Sequence, residues 1–355
     1  MAAAGPPPRR AIVGRIALLV GIIGFVFVVV LPRLIDGDAV RAALAGLTPG
    51  QLAGLIAATL LGYVANATPA RVLVAGLTWP RAIASDLVGR AVASTIPGPS
   101  DVAVKSMLYR QWKVRAESGG AGLALASLFE PLSSLALPII ALVGIVVSGR
   151  AATSREILVT VVSLLLLAVA ALALAATVRS ESVARRLGER LDGAASSIWT
   201  RLRRTPPAGI VDGVLAFRVR SKDILTQHGA VGFAAAVGAK LAWFLVFEIA
   251  LSTVGLPPRV LAPSAVLAAM TIVGIVALIP ITPGAVGVSE VAYIGLLSSV
   301  AGPASGEAIT AAVLLFRIAQ WLGPIPLGWL LFLLVRGRNL SEALAAGDRT
   351  SPSQP

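Results

Sequence analysis

The segment from Ile279 to Glu290 interrupts an apolar run that is otherwise long enough to cross a bilayer. Within it, Pro283, Gly284 and Gly287 oppose a continuous helix, because proline lacks a backbone donor and glycine tolerates unusual dihedral angles. A shorter break of the same kind, Ile96 to Asp101, lies in the first half of the chain. Broken backbone at membrane depth survives only where protein or water satisfies its polar groups. Two such breaks at matching places in two halves therefore predict a binding site.

Composition places the chain among integral membrane proteins. Hydrophobic residues make up 57% of the 355 positions, and the mean hydropathy of +0.88 is far above that of a soluble domain. The formal net charge of +13 comes from basic residues between apolar runs, which fits loops facing an anionic leaflet better than a nucleic-acid-binding surface. The chain has no cysteine and a single histidine, His228. We therefore expect no nucleic-acid partner, no metal site and no cofactor.

The apolar segments predict an all-α polytopic membrane protein with six full spans and two re-entrant hairpins. Each hairpin consists of two helices that are too short to cross comfortably, joined at one of the two breaks. The alternative is that both breaks are ordinary loops between short helices. The predicted full spans are about residues 11–31, 51–74, 122–147, 157–178, 229–254 and 308–335.

The distribution of charge predicts the orientation. If each hairpin returns to the side from which it enters, both termini and the basic segment 179–228 share one side with most of the Lys and Arg. Such an excess marks the cytoplasm, so we expect a multi-pass plasma-membrane protein with both termini cytoplasmic. Val183, Leu187 and Leu191 recur at helical spacing within that segment, which predicts an amphipathic helix on the membrane surface. A partner-docking role is the alternative.

The same topology predicts an inverted repeat of residues 51–147 and 229–335. The two hairpins then enter from opposite sides, the first from the cytoplasm. Residue spacing agrees, since Pro97 precedes Glu130 by 33 positions and Pro283 precedes Arg317 by 34. The domain prediction is a single transmembrane domain at 11–338 between disordered tails at 1–10 and 339–355.

Ionisable residues inside predicted apolar helices are the main candidates for a site. Each costs about 2.5–3.5 kcal/mol on insertion and therefore needs a partner or a wet cavity. We predict that Glu290 pairs with Arg317, because the second hairpin and the last span belong to one repeat. Lys240 and Glu248 lie two helical turns apart on one face. They could contact each other through water, Glu130 or the substrate, and these alternatives stay open.

The hypothesis for binding is that Arg317 and the helix N-termini after the two breaks attract a lipid phosphate. Against it, a carboxylate in the first helical turn, as at Glu290, stabilises a helix without any further role. A fold-locking pair and a headgroup contact are thus equally supported. Further substrate-binding candidates are Asp101, Lys105, Arg110 and Gln320, with Pro283, Gly284 and Gly287 forming the break.

Two sets of motifs resemble a known family. Pro283-Gly284-x-x-Gly287-Val288-x-Glu290 is followed by Leu314-Leu315-Phe316-Arg317-Ile318 and Trp321-Leu322-Gly323-Pro324. The first half agrees more loosely, through Ile96-Pro97-Gly98, Tyr109-Arg110 and Leu128-Phe129-Glu130. Over about residues 50–336 the chain resembles the flippase-like transmembrane region of lysylphosphatidylglycerol synthases. It departs at Ala285, where a second glycine is usual, at Pro99-Ser100-Asp101, and at Ser134, where many relatives carry an acid.

The resemblance implies a lipid-translocating or lipid-handling domain. In two-domain relatives a soluble aminoacyl-transferase domain makes the lipid that the membrane part flips. Here 17 residues follow Arg338, so we expect a standalone member without that domain. We expect no enzymatic activity, since no nucleophile–base pair or metal set has a recognisable spacing.

The function expected from the sequence is translocation of a lipid with an anionic headgroup, either a polyprenyl-phosphate-linked sugar or a modified phospholipid. No nucleotide-binding motif is present, so a lipid gradient, an ion gradient or the membrane potential would drive it. One alternative is a secondary transporter of a small solute. Another is a non-transporting partner of a membrane glycosyltransferase that docks through 179–228. The expected partners are membrane lipids, together with a lipid-modifying enzyme or glycosyltransferase under the docking alternative.

Overall fold

A computed structural model of the protein describes residues 46–95, 100–201, 209–277, 285 and 287–335. All regular structure in these ranges is helical, which confirms the all-α prediction. The predicted tails, the first predicted span at 11–31 and the centres of both breaks lie outside the described residues. The break residues concerned are Pro97, Gly98, Pro283 and Gly284.

The described chain forms eleven α-helices, which we number in chain order. They are α1 (Pro49–Leu73), α2 (Trp79–Thr95), α3 (Ser100–Gln111), α4 (Ala116–Ser134), α5 (Leu137–Val147), α6 (Ser154–Arg179), α7 (Glu181–Arg201), α8 (Ile210–Thr253), α9 (Pro263–Val276), α10 (Val288–Ala301) and α11 (Gly306–Arg317). A 3-10 turn, Pro303–Ser305, precedes α11, and a π-helical turn, Ile318–Leu322, follows it. The last helix then continues to Val335.

Four of these helices are long and apolar enough to cross a membrane: α1, α6, α8 and the last helix from Gly306 to Val335. The count rises to five if α4 and α5, which meet at an angle of 42°, form one bent span. These five match the predicted spans other than 11–31. The chain is therefore a multi-pass membrane protein by the length and composition of its helices.

The short helices on either side of each break pair with one another. Helix α2 packs against α3, and α9 packs against α10. With lengths of 17, 12, 14 and 14 residues, the four helices have the sizes expected beside a broken segment.

Helix α8 is the central packing element, since it contacts α1, α4, α6, α7, α9 and α11. It is continuous over 44 residues, a length of about 66 Å. The predicted boundary between the basic segment 179–228 and the span 229–254 therefore falls inside one helix. Small residues allow the close approach to α1: a Cβ at Gly62 would lie 3.2 Å from the Trp243 ring.

The bend between α4 and α5 follows from a proline. Pro138 lacks the N–H that would bond to the carbonyl of Ser134, four residues earlier. That carbonyl instead accepts a 3.0 Å hydrogen bond from the hydroxyl of Thr271 on α9. Gly274, one turn further along α9, faces the Ser134 side chain, where a Cβ would lie 3.0 Å from Oγ.

The π-helical turn in the last helix also leaves a carbonyl without its usual partner, as the bend between α4 and α5 does. The N–H of Gly323 donates to the carbonyl of Ile318 at 2.8 Å, five residues back, so the carbonyl of Ala319 loses its usual partner. The Tyr63 hydroxyl on α1 donates to Ala319 O at 2.6 Å. A Cβ at Gly323 would lie 2.5 Å from that hydroxyl. Both irregular turns are thus stabilised by a hydroxyl from another helix, beside a glycine.

Candidate functional site

The predicted partners Glu290 and Arg317 lie together between α10 and α11. Arg317 Nε and Glu290 Oε1 are 2.5 Å apart, and the two side chains are 8% and 17% exposed. The second carboxylate oxygen, Oε2, accepts a 2.6 Å hydrogen bond from the N–H of Gly287. Glu290 therefore both neutralises a buried guanidinium and caps the N-terminus of α10. We call Glu290 and Arg317 the C-half pair.

Two further residues surround the guanidinium of the C-half pair. Gln320 Oε1 accepts from Arg317 Nη1 at 3.5 Å, and the Trp321 ring lies 5.7 Å from the guanidinium carbon, within the range of a cation–π contact. Both belong to the π-helical turn. Such turns are frequent at functional sites because they redirect side chains out of the regular helical register.

The backbone before α10 is unusual. Ala285 has a φ of 54° and Gly287 a φ of 82°, a region that residues with a Cβ avoid at a cost of about 1–2 kcal/mol. Ala285 is the position at which the resemblance expects a second glycine, so this chain adopts the glycine conformation without the glycine.

A second group of charges lies in the first half, centred on Asp86 of α2. Asp86 Oδ2 accepts from Asn66 Nδ2 and from Arg90 Nε, each at 3.0 Å. Lys105 Nζ of α3 lies 3.5 Å from Asp86 Oδ1 and 3.6 Å from Asp101 Oδ2. Gly89 makes room for the lysine, because a Cβ there would lie 2.5 Å from Lys105 Cε. Helices α1, α2 and α3 thus meet around one buried carboxylate.

A further ion pair extends this group toward α4 and α8. Lys240 Nζ lies 3.6 Å from Glu130 Oε1, and Glu130 is within electrostatic range of Arg90 and Lys105. Trp243, one turn after Lys240, donates from Nε1 to Asn66 Oδ1 at 3.3 Å. We call this set the N-half cluster; its members are Asn66, Asp86, Arg90, Asp101, Lys105, Glu130 and Lys240.

Exposure is uneven across the N-half cluster. The Asp86 side chain is 10% exposed and that of Lys105 is 16%. The side chains of Arg90 and Lys240 are 25% and 22% exposed, and that of Glu130 is 61%. One side of the cluster is therefore open, and it presents a carboxylate beside two partly exposed cations.

Two of the predicted site residues, Arg110 and Glu248, lie apart from these two groups, and two more lie outside the described residues. Arg110 is exposed in the last turn of α3. Glu248 is 9% exposed, and neither of its oxygens has a hydrogen-bond partner among the described residues. Lys240 thus pairs with Glu130 rather than with Glu248. Pro283 and Gly284 lie outside the described residues.

Asp86 and Arg90 were missed from the sequence, because the helix before the first break was considered only for its length, as one half of a hairpin. The signal was present: an acid and a base four residues apart in an otherwise apolar helix form an ion pair on one face. The insertion cost that identified Glu130 and Lys240 applies equally to these residues.

The family comparison covers nearly the whole of this architecture. The family model for the lysylphosphatidylglycerol synthase TM region matches residues 15–328, a range that contains both the N-half cluster and the C-half pair. Neither a curated protein nor a solved structure matches the chain. Because the matched range is most of the sequence, the chain belongs to the lysylphosphatidylglycerol synthase TM-region family.

Proposed function

We propose that this protein moves a lipid with a phosphate-bearing, anionic headgroup from one leaflet of the plasma membrane to the other. Family membership supports a membrane protein related to lipid handling. The observation that carries the proposal is the N-half cluster, in which five helices bring charged and polar side chains to one partly open place. Ionisable residues on membrane helices that face such a partly open place are typical of substrate or ion pathways.

The chemistry of the N-half cluster suits a headgroup with both acceptors and donors. Arg90 and Lys240 are partly exposed and can donate to phosphate oxygens. Glu130 is the most exposed member and can accept from a sugar hydroxyl or an amine. Polyprenyl-phosphate-linked sugars and modified phospholipids both carry this combination.

An apolar groove between α1 and α8 is suited to the acyl chains. Its volume is about 420 Å³, and eight residues line it: Leu61, Ala65, Thr68, Ala235, Gly238, Leu241, Ala242 and Leu245. The same two helices supply Asn66 and Lys240 to the N-half cluster. We infer that the headgroup enters the cluster while its chains stay against this lipid-exposed surface.

We further infer an inverted repeat from the order of the helices. A long helix, two short paired helices and an irregular final helix occur as α1, α2, α3 and α4–α5. The same order recurs as α8, α9, α10 and the last helix with its π-helical turn. In each half the irregular turn is stabilised by a hydroxyl from another helix.

The proposed orientation has both termini in the cytoplasm, with α7 on the cytoplasmic surface. Ala184 is buried and Gly188 packs against Val211 of α8, while Leu187 and Leu191 are 38% and 47% exposed and can enter the lipid interface. The chain has no cysteine, so single introduced cysteines at positions 187 and 255 would report sidedness without background. Labelling of position 187 from the outside of intact cells would contradict this orientation.

The function is tested with the purified full-length chain in vesicles that contain fluorescent phosphatidylglycerol. A membrane-impermeant quencher measures the rate at which the label changes leaflet. We expect Arg90→Ala and Lys240→Ala to slow this rate by about 10-fold or more, because a charge-assisted hydrogen bond contributes about 1.5–3 kcal/mol.

The matched control is Arg110→Ala, which removes an exposed arginine outside the cluster and should leave the rate unchanged. Fluorescent phosphatidylcholine tests the preference for an anionic headgroup. Equal rates for wild type, both cluster variants and protein-free vesicles would reject the proposed function. Counterflow of a water-soluble phosphate ester without lipid movement would favour a transporter of small solutes instead.

A further inference from the structure

Glu248 is an acidic residue that the proposed headgroup site does not use. It lies on α8, five residues before the helix ends at Thr253. The residue is 9% exposed, and both carboxyl oxygens are buried without a hydrogen-bond partner among the described residues. An isolated ionised carboxylate is very unfavourable in such surroundings, so the neutral acid is the form that this site tolerates.

The charged groups around α8 are engaged with one another rather than with Glu248. Glu130 of α4 lies beside Lys240, and Arg317 of α11 lies beside Glu290. Helices α5 and α9 carry no ionisable residue. The other ionisable residues on elements that contact α8 are Tyr63 and Arg71 (α1), Glu117 (α4), Arg155, Glu156 and Arg179 (α6), Tyr293 (α10), Glu307 (α11), and Glu181, Arg185, Arg186, Glu189, Arg190, Asp192 and Arg201 of α7.

No described residue donates a hydrogen bond to the Glu248 carboxyl. The charges of α7 lie near the opposite end of α8, where Gly188 contacts Val211. The Tyr63 hydroxyl donates to the Ala319 carbonyl, and the Tyr293 ring packs on Phe247. A proton is therefore the ligand that satisfies this acid in the conformation described here.

We propose that Glu248 is a proton-binding site whose loading and release accompany lipid movement. In the present conformation the carboxyl holds its proton. In a second conformation water reaches the group, the O–H bond breaks, and the proton passes to water as hydronium. The partly exposed Glu130–Lys240 pair lies about 12 Å away along α8. This inference rests on the proposed function for its link to transport.

The first experiment tests proton binding without any transport. Infrared spectra of the purified full-length protein contain a carbonyl band from each protonated carboxylic acid, and that band shifts in deuterated water. We expect Glu248→Gln to remove such a band at neutral pH. The control Glu189→Gln, at an exposed position of α7, should leave the spectrum unchanged. An unaltered band in Glu248→Gln would overturn the proton-binding site.

The second experiment tests coupling. Vesicles with fluorescent phosphatidylglycerol are given a pH difference across the membrane, and the rate of leaflet exchange is compared with and without it. We expect the wild-type rate to respond to the gradient, Glu248→Asp to retain part of the response, and Glu248→Gln to lose it. A response that survives in Glu248→Gln, or is missing in an active wild type, would overturn the coupling. No lipid movement in wild type would instead reject the proposed function, and the infrared band would still decide on proton binding.

Discussion

The two halves of the molecule hold their charges in opposite ways. In the C-half pair, Arg317 is closed in by a carboxylate, an amide and an indole ring, and its side chain is 8% exposed. In the N-half cluster, three cations and three carboxylates share looser contacts of 3.0–3.6 Å, and Glu130 is 61% exposed. Similar charges can therefore stabilise one half as a closed ion pair and remain accessible to a ligand in the other half. Stability should therefore depend on the C-half pair and transport on the N-half cluster.

The largest expected effect on stability is that of Arg317→Ala. It leaves the buried carboxylate of Glu290 without its cation, which costs about 3–5 kcal/mol. Thermal unfolding in detergent, followed by the fluorescence of the six tryptophans, measures the loss. The double variant Arg317→Ala/Glu290→Gln should recover part of it, because it removes the unpaired charge. A double variant no more stable than Arg317→Ala would contradict the locking role.

A smaller effect is expected from Gly323→Ala, which tests the π-helical turn beside the C-half pair. The added Cβ would displace the Tyr63 hydroxyl and leave the Ala319 carbonyl unsatisfied, at a cost of about 1–3 kcal/mol. Gly295→Ala is the matched control, since its Cβ would meet no atom within 4 Å. Equal melting temperatures for the two variants would argue against a tight contact at Gly323.

Removing either of the two hydroxyls that stabilise the irregular turns should lower stability by less than Gly323→Ala does. The two losses should be similar to each other. Tyr63→Phe and Thr271→Val each delete one hydrogen bond to a released carbonyl, worth about 1 kcal/mol. Denaturation of each variant and of the pair tests the parallel between the halves. A large effect for one and none for the other would break that parallel.

The smallest effect on stability is expected from Lys240→Met in the N-half cluster. Its 3.6 Å pair with Glu130 is partly exposed, so its loss should change stability by less than about 1 kcal/mol. Lipid exchange should nevertheless slow by about 10-fold. A variant that loses stability as Arg317→Ala does, with exchange intact, would reverse the assignment of roles.

Hydropathy, prolines and charge placement predicted the helical class, the described spans and the meeting of Glu290 with Arg317. The residues around the π-helical turn could not predict it, because the Tyr63 hydroxyl that bonds to the Ala319 carbonyl lies 256 positions away in the sequence. The continuity of α8 was missed for a different reason. The change from charged to apolar composition near Gly229 resembles a boundary, but the helix continues because α1 and α7 pack along its length.

The length of α8 has a mechanical consequence. At about 66 Å it is more than twice the thickness of the hydrocarbon layer, and it is unbroken from its contact with α7 to Lys240, Trp243 and Glu248. Because no irregular turn interrupts α8, a displacement of its end beside α7 would move the lysine and the buried acid together.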